Sequence, residues 1–133
     1  DSTINRFGVR MGSSEIYAAV EELPEVVDSL VIGYTVREED YRMPLFVVLA
    51  PGLGLDADLK QKINQQIRSA LSPRHVPDEI HAIAEVPTTL NGKKLEVPVK
   101  KVLSGIPLQE AVNLDSMSNP HAMDYFVALA EKS

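Results

Sequence analysis

Two apolar stretches decide the fold of this chain: "VVDSLVIGYTV" at 26–36 and "MPLFVVLA" at 43–50. Both are rich in β-branched residues, and the polar "REEDYR" at 37–42 lies between them, so the pattern predicts two strands joined as a hairpin. A third strand is predicted in "EIHAIAEVP" at 79–87, after an intervening helix. We therefore expect a small three-stranded sheet.

Helices are predicted to flank these strands. Ser13 and Ser14 precede apolar residues at helical spacing, which predicts a helix over about 13–22. Asp56 occupies the N-cap position of the most regular helical pattern, and Pro73 ends that pattern. These patterns predict an α+β fold.

The last third of the chain has weaker signals. Proline fits a first helical turn, so a short helix is predicted from Pro98 through Leu103. The stretch at 105–120 reads as irregular surface, and a final amphipathic helix is predicted with its cap at Asn119. The sheet and its helices would form one small domain.

Composition limits the possible functions. The chain has 133 residues and a net charge of −6, so we expect one domain and no general nucleic-acid surface, because phosphate neutralisation needs clustered Lys and Arg. It has no Cys, and its three His lack ligand spacing, so no metal site is expected. No apolar run approaches the roughly 20 residues of a membrane span, and no signal-peptide layout is present. We expect a cytoplasmic protein and, because the first residue is not Met, a piece of a longer one.

A glycine-rich turn imitates a dinucleotide-binding fingerprint. "PGLGLDA" at 51–57 follows a predicted strand and opens a predicted helix. However, Asp56 would place a carboxylate where a pyrophosphate should meet the helix N-terminus. An ordinary turn is favoured, and an oxidoreductase is disfavoured.

Lys93 follows Thr88, Thr89, Asn91 and Gly92 in a turn-forming stretch that is predicted to be a flexible loop. A Walker phosphate loop is rejected, because neither the required earlier glycine nor the following hydroxyl residue is present. What remains is a loop lysine that is either solvated or able to reach an anion.

A second basic segment is "NRFGVRMGSSEI" at 5–16. Gly8 and Gly12 bracket a short extended segment, where glycine permits positive φ or close approach of a ligand. Arg6 and Arg10 precede a helix N-terminus, which suits a phosphate. A turn with a salt-bridging arginine is the simpler interpretation.

Taken together, these motifs resemble a known family. "INRFGVRMGSSEIYAAVEELPEV" at 4–26, "LSPRHVPDEI" at 71–80 and "VPTTLNGKKL" at 86–95 are similar, in order, to the carboxy-terminal domain of adenylate-forming acyl-CoA synthetases. Within that family, "NGKKLEVPVKK" at 91–101 and "NPHAMDYFVALA" at 119–130 are most similar to the acetoacetyl-CoA synthetase branch.

The resemblance implies a mobile lid that works with a large amino-terminal domain of the same polypeptide. Such enzymes join an acid, here acetoacetate, to ATP as an acyl-adenylate and then transfer the acyl group to CoA. Mg²⁺ is expected with ATP, with no metal ligands in the lid. The whole of 1–133 would be this lid, with a hinge and Gly/Arg segment at 1–12 and an extension with a final helix at 105–133.

The resemblance also implies roles for single residues. Asp1 matches the hinge aspartate, and Gly8 matches the glycine beside the CoA passage. Arg10 matches an arginine that faces nucleotide phosphate or helps to hold the closed arrangements. Arg68 corresponds to a basic position near the CoA phosphates, and Lys93 to the catalytic lysine of adenylation. Lysines at that position are acylated in related enzymes, so a lysine acyltransferase is a further expected partner.

Two departures from the family pattern leave an alternative open. Asn91 stands where serine is commoner, and Lys94 stands where an apolar residue is usual, so the catalytic lysine could be the adjacent one. The competing function is a stand-alone binding module, without catalysis, that uses Arg6, Arg10 and Lys93 to hold a phosphoryl ligand or a partner protein.

Overall fold

A three-stranded sheet with helices on both faces forms the centre of the chain. The computed structural model describes residues 3–6, 8–37 and 40–132. Its strands are β1 (Thr3–Arg6), β2 (Val9–Gly12), β3 (Val26–Val31), β4 (Tyr34–Arg37), β5 (Asp40–Arg42), β6 (Pro44–Leu49) and β7 (Glu79–Ala82). Its α-helices are α1 (Ser13–Val20), α2 (Ala57–Ala70), α3 (Glu96–Leu103), α4 (Leu108–Ala111) and α5 (Asp124–Glu131).

The predicted three-stranded sheet and the α+β class are confirmed. Strand β6 is central, with β3 antiparallel on one side and β7 parallel on the other. Successive residues of a strand face opposite sides of the sheet, so Leu45 and Val47 enter one core while Phe46 enters the other. The first core contains residues of α1 and α2, and the second contains residues of α3 and α5.

Helix α2 forms as its sequence predicts. The Asp56 Oδ1 atom accepts a hydrogen bond from the Leu59 backbone N–H at 2.8 Å, which confirms the N-cap. Leu59, Ile63 and Ile67 recur every four residues and are buried against the sheet. The helix ends at Ala70, and a separate 3₁₀ turn spans Pro73–His75.

The connection between the two apolar stretches differs from the predicted polar loop. Strands β4 and β5 form their own antiparallel hairpin, so part of "REEDYR" is strand. The first apolar stretch therefore divides after Val31, near Gly33. A Cβ atom at Gly33 would lie 2.0 Å from the Tyr41 Oη atom, so this glycine is required for Tyr41 to cross the chain here.

The carboxy-terminal segment is more ordered than the sequence predicts. The stretch read as irregular surface contains α4 and the buried Met117. Helix α3 begins at Glu96, two residues before Pro98, which still lies within its first turn. Asn119 is at the predicted N-cap position, but of a 3₁₀ turn, Pro120–Met123, that leads into α5, and its side chain makes no capping hydrogen bond.

No helix within the described residues is both long enough and apolar enough to cross a membrane.

Candidate functional site

Lys93 lies in a hairpin that precedes α3. The Thr89 N–H donates to the Lys93 carbonyl at 2.9 Å, and the Leu95 N–H donates to the Pro87 carbonyl at 3.0 Å. Gly92 turns the chain with φ +83°, a conformation that favours glycine. The predicted flexible loop is thus a paired turn of backbone.

The first half of this hairpin, residues 87–90, also pairs with the carboxy-terminal segment, and we call it the outer strand. The Leu90 N–H donates to the Ser116 carbonyl at 3.1 Å, and the Ser118 N–H donates to the Thr88 carbonyl at 3.0 Å. An antiparallel bridge joins Thr89 to Met117. We call residues 87–95 the lysine hairpin and residues 116–119 the carboxy-terminal strap.

The Lys93 side chain is exposed at this turn. Its backbone N–H donates to the Thr89 Oγ1 atom at 3.1 Å. Among the described residues, none accepts a hydrogen bond from its ammonium group. Lys93 therefore presents a positive charge that has no acidic partner among the described residues, on a turn whose backbone is hydrogen-bonded.

Lys94 points the opposite way and is half-buried. Its Nζ atom lies 2.8 Å from the Glu21 Oε2 atom, 3.2 Å from the Asp28 Oδ1 atom and 2.6 Å from the Ser29 carbonyl. It also lies 3.6 Å from the centroid of the Tyr17 ring. Two carboxylates and an aromatic face thus hold this ammonium within the domain.

Tyr17 and Glu96 extend the network beneath Lys94. The Tyr17 hydroxyl donates a hydrogen bond to the Glu96 Oε2 atom and accepts one from the Val31 N–H at 3.2 Å. Burial, and secondly the hydrogen bond to Glu96, raise the pKa of Tyr17 well above its usual range. The network joins α1, β3 and α3 under the lysine hairpin.

The sequence did not reveal this network. Glu21 ends a helix, where its charge reads as solvated, yet its Oε2 atom also accepts a hydrogen bond from the buried Ser29 hydroxyl at 2.6 Å. Glu21, Asp28 and Lys94 come from three separate parts of the chain, and their spacing has no local signature. The one available signal was a second lysine where the family usually has an apolar residue.

Gly8 and Arg10 lie in the β1–β2 hairpin. Gly8 adopts φ +76°, and a Cβ atom built on it meets no atom within 4 Å. Arg10 is exposed and pairs across the hairpin with Asn5. The predicted extended segment with a positive-φ glycine is confirmed, and both residues are accessible at the entry to α1.

Arg6 is engaged inside the domain. It lies 2.5 Å from the Asp78 Oδ1 atom and donates hydrogen bonds to the carbonyls of Arg74 and Val76. Only 9% of its surface is exposed. Arg6 therefore fixes β1 against the segment before β7, and the prediction that it is available to a ligand is wrong.

Arg68 is exposed in the last turn of α2, and its side chain makes no hydrogen bond or ion pair with another described residue. Asp1 lies outside the described residues, so its hinge role stays a prediction.

Gly8 and Arg10 lie before one end of α1, and Lys93 belongs to a hairpin that is attached at the other end. The hairpin with Gly8 and Arg10 enters the N-terminal end at Gly12, whereas Lys94 fixes the lysine hairpin to Glu21 at the C-terminal end. At 1.5 Å per residue, these two attachment points are about 14 Å apart. The structure therefore keeps Lys93 apart from Gly8 and Arg10, as two candidate surfaces.

No group of three His, Cys, Asp or Glu side chains in the described ranges could hold a metal ion. The Mg²⁺ expected with ATP stays a prediction.

Replacing Lys94 by Met should destabilise the fold, whereas replacing Lys93 by Met should not. The first change leaves the Glu21 and Asp28 carboxylates without their shared cation, and we expect a loss of about 1–3 kcal/mol in the free energy of unfolding. The matched Lys93→Met change should cost less than about 0.5 kcal/mol. Urea unfolding followed by circular dichroism measures both. Equal losses would contradict the assignment of Lys94 as structural.

A second prediction concerns alkaline pH. Because the pKa of Tyr17 is raised on folding, its contribution to the free energy of unfolding is complete below about pH 10 and is lost as pH rises. The reason is that the unfolded chain then releases a proton that the folded chain keeps. Above that pH the Tyr17 contribution should fall by about 1.4 kcal/mol per pH unit. The Tyr17→Phe variant should therefore show a flatter decline in urea-unfolding free energy.

The more exposed Tyr125→Phe variant serves as the control and should decline nearly as the unaltered chain does. Parallel curves for the Tyr17→Phe variant and the unaltered chain would contradict a half-buried Tyr17 that stays neutral in the folded chain.

Comparison with known proteins identifies the family of this chain. The AMP-binding enzyme C-terminal domain matches residues 15–93, more than half of the chain. Acetoacetyl-CoA synthetase from Caenorhabditis elegans is 43% identical over 128 residues, which are 96% of this chain and 18% of that protein. Acetoacetyl-coenzyme A synthetase from Rhizobium meliloti (strain 1021) is 44% identical over 131 residues, 98% of this chain and 20% of that protein.

A solved structure agrees. Acetoacetyl-CoA synthetase from Streptomyces lividans matches with a TM-score of 0.90 and 52% identity, over 99% of this chain and 19% of that chain. The chain thus spans about a fifth of the length of these relatives. The resemblance inferred from the motifs is confirmed, and the chain belongs to the AMP-binding enzyme C-terminal domain family.

Proposed function

We propose that this chain is the mobile carboxy-terminal lid of an acid–CoA ligase that acts on acetoacetate. In the first half-reaction the acid and ATP give an acyl-adenylate and pyrophosphate. In the second the acyl group passes to the thiol of CoA, after the lid has rotated. The names of its relatives support the substrate, and the contrast between Lys93 and Lys94 is the observation that carries the mechanism.

Lys93 is proposed to serve adenylation. A carboxylate attacking a triphosphate brings anions together, so an ammonium aimed at the reacting oxygens would stabilise the transition state. Lysine suits this role as a compact point charge. The exposed Lys93 is able to offer its charge to an external anion, while Lys94 is held by Glu21 and Asp28. We therefore assign the role to Lys93 rather than to its neighbour.

The second surface is proposed to serve thioester formation. Gly8 would border the passage of the CoA thiol, where a side chain would obstruct its approach, and Arg10 would face phosphate. Arg68 would lie near the CoA phosphates. The separation of Gly8 and Arg10 from Lys93 along α1 supports a rotation that presents one surface to each half-reaction.

The remaining components are proposed to lie outside this chain. A large amino-terminal domain of the same polypeptide would bind most of ATP and of the acid, with Mg²⁺ on the phosphates. Acylation of Lys93 by a lysine acyltransferase would remove its charge and stop adenylation. The competing binding-module hypothesis is weakened, since Arg6, one of its three cations, is engaged with Asp78.

A chimera separates the two half-reactions. In it, this chain replaces the corresponding segment of the Streptomyces lividans enzyme, with which it shares 52% identity. Lys93→Ala should lower acid-dependent ATP–pyrophosphate exchange by about 100-fold or more, because a cation that offsets transition-state charge is lost. Release of CoA thioester from supplied acyl-adenylate should stay within about threefold, since Lys93 would have left the site by then.

The matched control is Lys100→Ala, which removes another exposed lysine at the end of α3 and should leave both rates unchanged. Equal loss of both half-reactions in the Lys93→Ala chimera, or no loss, would exclude the proposed role of Lys93.

The complementary change is Gly8→Leu in the same chimera. A side chain at the proposed thiol passage should lower thioester formation more than about tenfold and spare ATP–pyrophosphate exchange. Gly52→Leu is the control, because Gly52 has the similar φ of +85° and equally open surroundings in a different turn. If both glycine variants lose thioester formation alike, backbone strain explains the effect and Gly8 does not border the passage.

A further inference from the structure

We propose that Asn119 is a positioning residue for Lys93, and that the carboxy-terminal strap sets the place of the catalytic ammonium. The inference rests on the proposed role of Lys93 in adenylation. Under this inference the extension at 105–133 has a role within the lid, which is to hold the lysine hairpin where Lys93 can react.

Asn119 is buried, and its amide bonds at one end to the lysine hairpin and at the other to the residue just before that hairpin. Its Oδ1 atom accepts a hydrogen bond from the Thr88 N–H at 3.0 Å, and its Nδ2 group donates to the Val86 carbonyl at 2.9 Å. Only 8% of its surface is exposed. The side chain thus acts as a bidentate tie between the extension and the segment that leads into the hairpin.

The strap continues this tie along the hairpin. Thr88 and Thr89 lie between two partners: one side pairs with Lys93 and Lys94, and the other with Met117 and Ser118. The Thr88 Oγ1 and Ser118 Oγ atoms are 2.6 Å apart. The outer strand of the hairpin is therefore held on both edges, within five residues of Lys93.

Asn119 differs from the other links between the extension and this segment. His121 lies close to Glu85, but both side chains are largely exposed, and water and salt weaken such a pair. The Asn119 amide is shielded, so its loss leaves a backbone donor and a backbone acceptor without their partner. We therefore expect the position of the hairpin to depend on Asn119 more than on His121.

We expect the rate of adenylation to fall when this hairpin shifts by a small distance. A displacement of about 1 Å at a reacting group can lower a rate by about 100-fold. Thioester formation, in which Lys93 takes no part under the proposed function, should not respond. A positioning role therefore predicts a selective effect, whereas a purely structural role predicts a loss of both half-reactions.

The test uses the chimera described above. Asn119→Ala should lower kcat for ATP–pyrophosphate exchange by about 10- to 100-fold with little change in the KM for ATP, and thioester formation from supplied acyl-adenylate should stay within about threefold. Asn113→Ala is the matched control: it removes an asparagine whose Oδ1 atom accepts from the Asp115 N–H and makes no hydrogen bond with the hairpin among the described residues. It should leave both rates unchanged.

A double-mutant cycle with Lys93→Ala shows whether Asn119 acts through Lys93. In the Lys93→Ala background, Asn119→Ala should lower the exchange rate no further. Additive losses would overturn the inference, as would an unchanged rate in the single variant. If Lys93→Ala itself leaves exchange unaffected, the proposed function fails, and that result is distinct from failure of Asn119 alone.

If the Asn119→Ala chimera does not fold, it will lose both thioester formation and its circular dichroism signal. Ser118→Ala is the milder variant for that case. It removes only the Ser118 hydroxyl at Thr88 and should lower exchange several-fold while sparing thioester formation. An unchanged exchange rate in that variant would then overturn the inference.

Discussion

Strand β6 has apolar side chains on both of its faces, and the two helical layers follow from this constraint. Its alternate residues enter two separate cores, so neither face of the sheet can be left to solvent. Helices α1 and α2 cover one face, and α3 and α5 cover the other. The carboxy-terminal extension is therefore part of the domain's second layer, where Phe126 packs edge-on against Phe46 with ring centroids 4.9 Å apart.

The lysine hairpin is attached to both of these layers. Lys94 ties it to Glu21 and Asp28, beside the first core, while the carboxy-terminal strap ties it to the segment that precedes α5. Only its turn is exposed, with Lys93 and Leu90 at the surface. The rotation we propose would then carry Lys93 as part of a rigid domain, and the lysine would need no flexibility of its own.

Local signals predicted the fold well, and tertiary contacts explain where prediction failed. Asp56 was recognisable as a cap because its hydrogen bond lies within three residues along the chain. Asn119 has the same chemistry at a helix start, yet its amide bonds to residues more than 30 positions away. The β4–β5 hairpin depends on the contact of Gly33 with Tyr41, which nothing in either short stretch indicates.

The same distinction applies to the candidate site. The motifs predicted Lys93, Gly8 and Arg10 as candidates, because a glycine within two residues of a basic residue is visible in sequence. They could not tell that Arg6 and Lys94 are engaged inside the domain, since Asp78, Glu21 and Asp28 become neighbours only on folding. The charge of a residue can be read from sequence, but whether that charge is available depends on its partners.

The register of the lysine hairpin decides which of two adjacent lysines is available. Neighbouring residues on an extended segment face opposite sides, so an inward Lys94 places Lys93 outward. A slip of one residue would exchange their positions. Three features oppose that slip: the bridge between Thr88 and Lys94, the Thr89 hydrogen bonds and the turn at Gly92. The Glu21 and Asp28 carboxylates also favour an inward lysine at position 94. Because Lys94 pairs with the Glu21 and Asp28 carboxylates, Lys93 keeps its charge for an external anion, as its proposed role in adenylation requires.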